Sequence, residues 1–453
     1  MSNKNKIYNY MFIFSSSMLT LLSILIGSPL ISSLIYLFNF SLSFIIIYKI
    51  KKIYILSLSS LFFIFFNVYT LIPVLNYLIL GEGISFGVVQ TFFADPEHIH
   101  FVNFTNLTMV GSLAFAFIIN KRNERNYKRW SIPLSIASIF VIVSIVMYFL
   151  AMYLNGAIEY VLLNRGFLYQ EMKGEVYIKY LMYVGIYYFM KEINFNRKVI
   201  SVITIVSLLI YIAFLLLVGF RGQVLILIII MLSGFYSKRP IKINYKHITI
   251  ILVMLILFIF SSVYRSLPDK DFSRVVEVLK NNPLFFNLGS IEYGASYMNY
   301  TVASNNDFTY DYPLQSYFVE LKNGVISYID PSLKEKNPIL IYRDLFFMDR
   351  YLSSGNYGGT GYSLILDSVL NLSKYLFWLS FIAVGIFTSY IDNKINKHGK
   401  IFEVYYILLI PYFIQIGRSG LPIAIYITKF IHTIILFILL TLLLNKNSLR
   451  RKC

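Results

Sequence analysis

The sequence has one cysteine, Cys453, among 453 residues. A single thiol forms no intramolecular disulfide and no cysteine metal cluster, so cysteine says nothing about redox compartment. Histidine is scarce as well, at five residues. There is no His-Glu-x-x-His and no metal-type His/Cys spacing. The Gly-rich stretches lack the Gly-Lys-Ser/Thr of a nucleotide phosphate loop. No metal and no cofactor are expected from these residues, and nothing points to a nucleotide-sugar donor. Only 14% of residues are charged, too few to cover the surface of a soluble domain of this size. No signal-peptide cleavage site follows the first apolar block, which reads as a retained span.

What the chain does have is apolar length. Hydrophobic residues make up 57% of it, in blocks of about 17–25, the length that crosses a hydrocarbon core of about 30 Å. Strand-like alternation is missing from these blocks, so the expectation is all-α and not an outer-membrane barrel. Twelve transmembrane helices are expected, at roughly 11–27, 31–48, 53–80, 101–119, 130–152, 176–190, 199–218, 223–236, 248–264, 375–391, 401–416 and 420–444. This divides the chain into a membrane domain at 1–264 with nine spans, a large loop at 265–372, and a second membrane part at 373–453 with three spans and a tail.

The net charge of +18 could suggest nucleic acid, but its placement argues otherwise. With the N-terminus inside, one side collects Lys49/Lys51/Lys52, Lys121–Arg129, Lys191–Lys198, Lys238–Lys246, Lys394–Lys400 and Lys446–Lys452. That side holds about 24 of the 40 basic residues and about 4 of the 22 acidic ones. The basic balance then marks cytoplasmic loops facing anionic membrane lipids, with both ends of the chain in the cytoplasm, and no nucleic-acid partner. Trp130 and Trp378 stand at span starts, as interfacial anchors do.

The loop from Arg265 to Leu372 is rich in tyrosine and contains helical patterns. Asp271–Lys280 sets Val275, Val276, Val278 and Leu279 among charges, the pattern of an interfacial helix. Leu314, Phe318, Leu321 and Val325 recur at helical spacing after Pro313. After Asn337-Pro338, a cap and first-turn pair, Arg343 and Arg350 lie seven apart on one helical face. Two guanidiniums aimed together suit phosphate or carboxylate oxygens; the same pattern also describes a solvated face paired with Asp344 or Asp349. Gly358-Gly359-Thr360-Gly361-Tyr362-Ser363 then leads into a helix toward the tenth span. This is either a backbone cradle for a ligand or a plain flexible turn.

Three arginines stand at outer span ends, where orientation bias disfavours them. These are Arg221 in Gly219-Phe-Arg-Gly222, Arg265, and Arg418 in Gly417-Arg-Ser-Gly420, with Arg165 a looser fourth. Together they could hold an anionic group at an outward cavity; singly, each reads as snorkelling to lipid phosphate. Lys429 and His432 share a helix face and carry no assigned role.

These residues resemble a known family. Gly358–Asp367 followed by Asn371 is similar to the stretch that closes the large periplasmic loop in O-antigen polymerases of the Wzy type. Gly219–Gly222, Arg265 and the Arg418 connection fit the same likeness, as does an arginine, ten-residue, glycine spacing at Arg350 and Gly361. The chain departs from that pattern at Asp367, where Glu is common, and at Leu372-Ser373, where Phe-Gly is common. The resemblance implies a GT-C-like membrane glycosyltransferase with a large periplasmic loop containing short helices. It implies undecaprenyl-pyrophosphate-linked oligosaccharides as substrates, and a chain-length regulator and a flippase as candidate partners. Arg221, Arg265, Arg418, Arg343 and Arg350 would clamp the pyrophosphate, with Arg165 nearby. Glu292, Asp344 or Asp349 would serve as base, and Gly358, Gly359, Gly361, Tyr362 and Ser363 would bind substrate. A lipid-linked oligosaccharide flippase and an O-antigen ligase are the alternatives.

Overall fold

The structure is a computed structural model. It describes residues 3–80, 98–119, 132–155, 175–193, 199–218, 220–237, 272–281, 295–305, 307–326, 330–335, 363–398, 400–415 and 423–449. These are helical throughout their regular segments, without a strand among them. In order they are α1 (Asn3–Ile26), α2 (Pro29–Ile45, continued by a π-helical turn at Ile46–Ile50), α3 (Leu58–Leu80), α4 (His98–Ile118), α5 (Leu134–Leu154), α6 (Glu175–Glu192), α7 (Val199–Val218) and α8 (Arg221–Tyr236). The loop contributes α9 (Phe272–Asn281), α10 (Ala295–Asn305) and α11 (Gln315–Ile326), and α12 (Leu364–Leu376) at its end. The last part is α13 (Trp378–His398), α14 (Lys400–Gln415) and α15 (Ile423–Leu449).

Helices occupy eleven of the twelve expected segments; the remaining one, 248–264, lies outside the described residues. By length and composition, five helices can cross a membrane, or six if the bent pair α12–α13 counts as one span. The apolar stretches Tyr10–Ile26, Gly222–Ser237, Ile401–Ile414 and Tyr426–Leu439 are shorter. Apolar side chains fill the interior and also cover much of the exterior. In the most apolar of the five, α7, only 28% of residues 199–216 are buried. Val202, Val206, Leu209 and Ile210 of α7 are exposed, as are Val143, Val146 and Leu150 of α5. An apolar exterior of this extent suits hydrocarbon, not water.

Inside the bundle several polar groups pair with one another, because an unsatisfied one is costly where water is absent. Asn39 of α2 accepts from Ser16 of α1 and donates to Thr20. Ser23 donates to Asn106 at 2.7 Å, and Ser112 to Asn67 at 2.8 Å. Small residues permit close approach: a Cβ at Gly234 of α8 would lie 2.3 Å from the Tyr187 carbonyl of α6, and one at Gly385 of α13 would lie 2.2 Å from Ile118 of α4.

Several buried ionic contacts gather helix ends on one face. Lys51 donates to the Phe117 and Ile119 carbonyls, which are freed at the end of α4. Asp392 of α13 accepts from the Leu58 and Ser59 amides (2.9 and 3.1 Å) and the Ser59 hydroxyl, capping α3. That cap is why α3 starts at Leu58 and not at 53, where apolarity alone placed it. Lys191 at the end of α6 meets Glu403 at the start of α14 at 2.5 Å, with both side chains 1% exposed. Tyr187 and Tyr188 donate to the same carboxylate. Among the described residues, the basic side chains Lys51 and Lys191 lie at helix ends on this face.

Because a buried charge stripped of its partner is strained, Lys191→Met alone is expected to destabilise the protein by about 3–5 kcal/mol. Lys191→Met with Glu403→Leu is expected to recover most of that loss. Thermal unfolding in detergent micelles, run as a double-mutant cycle, measures both.

Candidate functional site

The opposite face carries the loop helices. Tyr297 of α10 sits edge-on to Phe101 of α4 (5.6 Å between centroids) and near Phe104 (5.4 Å), and Tyr300 also packs on Phe104. Burial pushes the phenols of Tyr297 and Tyr300 above their ordinary value, so both stay neutral. α11 packs along α15 and against α12. Its apolar stripe, Phe318, Leu321 and Val325, points outward, while Ser316, Val319 and Glu320 face in.

The centre of this face is built on α12. Ser363 is its N-cap, with Oγ accepting from the Leu366 amide at 3.0 Å. This caps the end of the Gly358–Ser363 motif and starts the helix where the sequence expected one. Asp367 lies in the first turn, where the helix dipole favours a carboxylate. Its Oδ1 accepts from the Ser316 hydroxyl at 2.8 Å and from Asn371 Nδ2 at 3.0 Å, with the Tyr310 hydroxyl farther off at 3.5 Å. Asn371 also donates to Ser316 Oγ (2.7 Å), and its Oδ1 accepts from the Ser316 amide (3.1 Å). Asp367, Asn371 and Ser316 are each 1% exposed. Asp367 and Asn371 therefore fasten the loop helix α11 to α12. At that burial Asp367 acts as an anchor, not as a group reaching a substrate. Beside it, Tyr317 shares a 2.8 Å hydrogen bond with Ser380 of α13. Burial, reinforced by the negative charge of Asp367, holds the Tyr317 phenol well above its ordinary value.

The backbone at this latch is unusual. The break between α12 and α13 bends the chain by 116°, between the helix expected after the Gly-rich motif and the tenth expected span. Ser373 at the break has φ 66° and ψ 165°, a region that strongly favours glycine. This is the position where the resembled family commonly carries Gly. Leu314, at φ 63°, donates its amide to the Asn371 carbonyl at 3.1 Å.

Of the other expected site residues, Arg221 is the first residue of α8. Its N-cap, Phe220, has no side-chain oxygen to satisfy the first turn. Arg165, Arg265, Arg343, Arg350, Arg418, Glu292, Asp344, Asp349, Gly358, Gly359, Gly361 and Tyr362 lie outside the described residues. Among the described residues no group of three or more His, Cys, Asp or Glu could hold a metal ion. Sequence reasoning missed Ser316 and Ser380. No local signal marks a small hydroxyl residue whose partner lies more than fifty positions away.

Asp367→Ala leaves Ser316 and Asn371 without their shared acceptor. It is expected to cost about 2–3 kcal/mol and to speed limited proteolysis within 265–372. Ser373→Gly relieves the backbone and is expected to stabilise by about 1 kcal/mol. Thermal unfolding of the two variants against the parent reads both effects, which have opposite signs.

Compared with protein-family models, curated proteins and solved structures, the chain matches none.

Proposed function

We propose that this chain is a multi-pass protein of a bacterial plasma membrane that polymerises undecaprenyl-pyrophosphate-linked oligosaccharide units into a surface polysaccharide. In this reading it crosses the membrane twelve times with both ends in the cytoplasm. Its large loop lies on the periplasmic side, and the architecture is GT-C-like. The growing chain moves from its lipid pyrophosphate to the non-reducing end of an incoming unit, and no metal or cofactor takes part.

The observation that carries the reading is the segment Gly358–Asn371. Its likeness to the loop-closing stretch of O-antigen polymerases coincides with the place where α12 holds the loop helix α11 through Asp367 and Asn371. The glycine-favouring backbone at Ser373, where that family commonly has Gly, supports the same alignment. The recurrence of basic segments at alternate connections along the sequence supports the orientation.

Transfer requires stabilising the departing diphosphate. Fixed cations do this without a metal. Arg221, Arg265 and Arg418 are the clamp, assisted by Arg343 and Arg350. Arg221 at the start of α8 adds the positive end of a helix dipole. Glu292, Asp344 or Asp349 accepts the proton of the attacking hydroxyl. Gly358, Gly359, Gly361, Tyr362 and Ser363 shape the approach of the sugar.

Neutral replacement of Arg221, Arg265 and Arg418 together is expected to lower polymer formation by about 10²-fold or more. The measurement is polymer made by purified protein from a defined lipid-linked repeat unit. Normal chain length in the triple variant would refute the clamp. In cells, deletion of the gene is expected to leave a single repeat unit on the acceptor. Complete absence of attached polysaccharide would favour a ligase instead, and units trapped on the cytoplasmic leaflet a flippase.

A further inference from the structure

On the same face as the loop helices, α6, α14 and α15 enclose a cation that the clamp does not use. Lys429 of α15 is 6% exposed. Its Nζ stands 4.2 Å from the ring centroid of Tyr180 on α6 and 5.1 Å from that of Tyr412 on α14. The hydroxyls of those two tyrosines lie 3.3 Å apart. One turn further along α15, His432 packs against Tyr180 and Tyr177, with centroids at 5.6 and 5.1 Å. Among the described residues, no carboxylate lies within ion-pair distance of Lys429.

The opposite face is arranged differently. Lys191 and Glu403, on α6 and α14, are the same two helices' buried charges at their other ends, and they neutralise each other. Tyr180 and Tyr412, on those helices, flank Lys429 and supply only ring faces and hydroxyls. Aromatic faces offset part of an ammonium's desolvation but do not neutralise it. An ionisable group kept in an apolar bundle with no carboxylate beside it among the described residues is an arrangement that suits a counter-charge arriving with a ligand. An anion reaches an apolar bundle most readily when attached to a lipid. The two tyrosine hydroxyls beside Lys429 are donors suited to its oxygens. In sequence, the connection 416–422 between α14 and α15 carries Arg418.

We propose that Lys429, boxed by Tyr180 and Tyr412, is a binding site for the diphosphate of a polyprenyl-linked donor; the choice of this ligand rests on the polymerase reading. The site holds the lipid carrier from the membrane side and is a binding site, distinct in residues from the proposed arginine clamp.

The test titrates purified full-length protein in detergent micelles with undecaprenyl diphosphate, with phosphatidylglycerol and inorganic pyrophosphate as parallel probes. Lys429→Met is expected to weaken undecaprenyl diphosphate binding by about tenfold or more. Lys429→Arg is expected to keep binding close to that of the unaltered protein. The unfolding temperature of Lys429→Met is expected to be unchanged or higher, because an unneutralised buried charge has been removed; a purely structural lysine would lower it. Undiminished binding in Lys429→Met overturns the proposal, as does Lys429-dependent binding of phosphatidylglycerol equal to that of the prenyl diphosphate. Should Lys429→Met not be recovered folded, a photoreactive polyprenyl diphosphate is cross-linked to the unaltered protein; adducts lying away from 176–184, 408–415 and 426–433 also overturn it. Polymer assays on the same preparations separate the two readings. Lys429-dependent binding without any polymer from lipid-linked units refutes the polymerase and leaves the site standing. Polymer formation with Lys429-independent binding does the reverse.

Discussion

A buried charge inside an apolar bundle is costly unless a partner answers it, and much of the described architecture follows from that constraint. Lys191 and Glu403 are tolerable at 1% exposure because each answers the other and two tyrosine hydroxyls share the carboxylate. Asp392 is tolerable because it closes the start of α3. Lys51 is tolerable because the end of α4 offers it two carbonyls. These contacts tie helices distant in sequence at one face, so that the connections between them carry the basic residues. The Asp367–Asn371–Ser316 network performs the corresponding service at the other face, joining α11 to α12, while Tyr317 reaches Ser380 of α13.

Hydrophobic length and charge alternation make the helices legible in the amino-acid sequence alone. Eleven of the expected segments carry helices, and Ser363 caps α12 where the Gly-rich motif ends. Details set by tertiary contact are not legible there. The late start of α3 depends on Asp392, 334 positions from Leu58. The stripe Phe318, Leu321 and Val325 has helical spacing, but spacing does not say whether a face turns to the core or away; here it turns outward. The sharp bend after α12 is invisible to periodicity, since the residues on either side are apolar and helix-compatible. Most of the proposed clamp lies outside the described residues, so its geometry enters through chain position alone.

Ser373 and Leu314 connect strain to purpose. Both adopt positive φ, and both flank the contact in which the Asn371 carbonyl receives the Leu314 amide. Backbone of this kind persists when surrounding contacts over-determine it. Its position between loop and bundle indicates that holding the loop at a set angle matters more than local ease.

The central claim is that the loop at 265–372 and the basic connection at 238–246 lie on opposite sides of the membrane. With Cys453→Ser as background, single cysteines at Ser354 and at Asn244 can be probed with a membrane-impermeant maleimide on spheroplasts. The account expects Ser354→Cys to label in intact spheroplasts, and Asn244→Cys to label only after permeabilisation. Labelling of Asn244→Cys from outside, with Ser354→Cys protected until the membrane is opened, would contradict it.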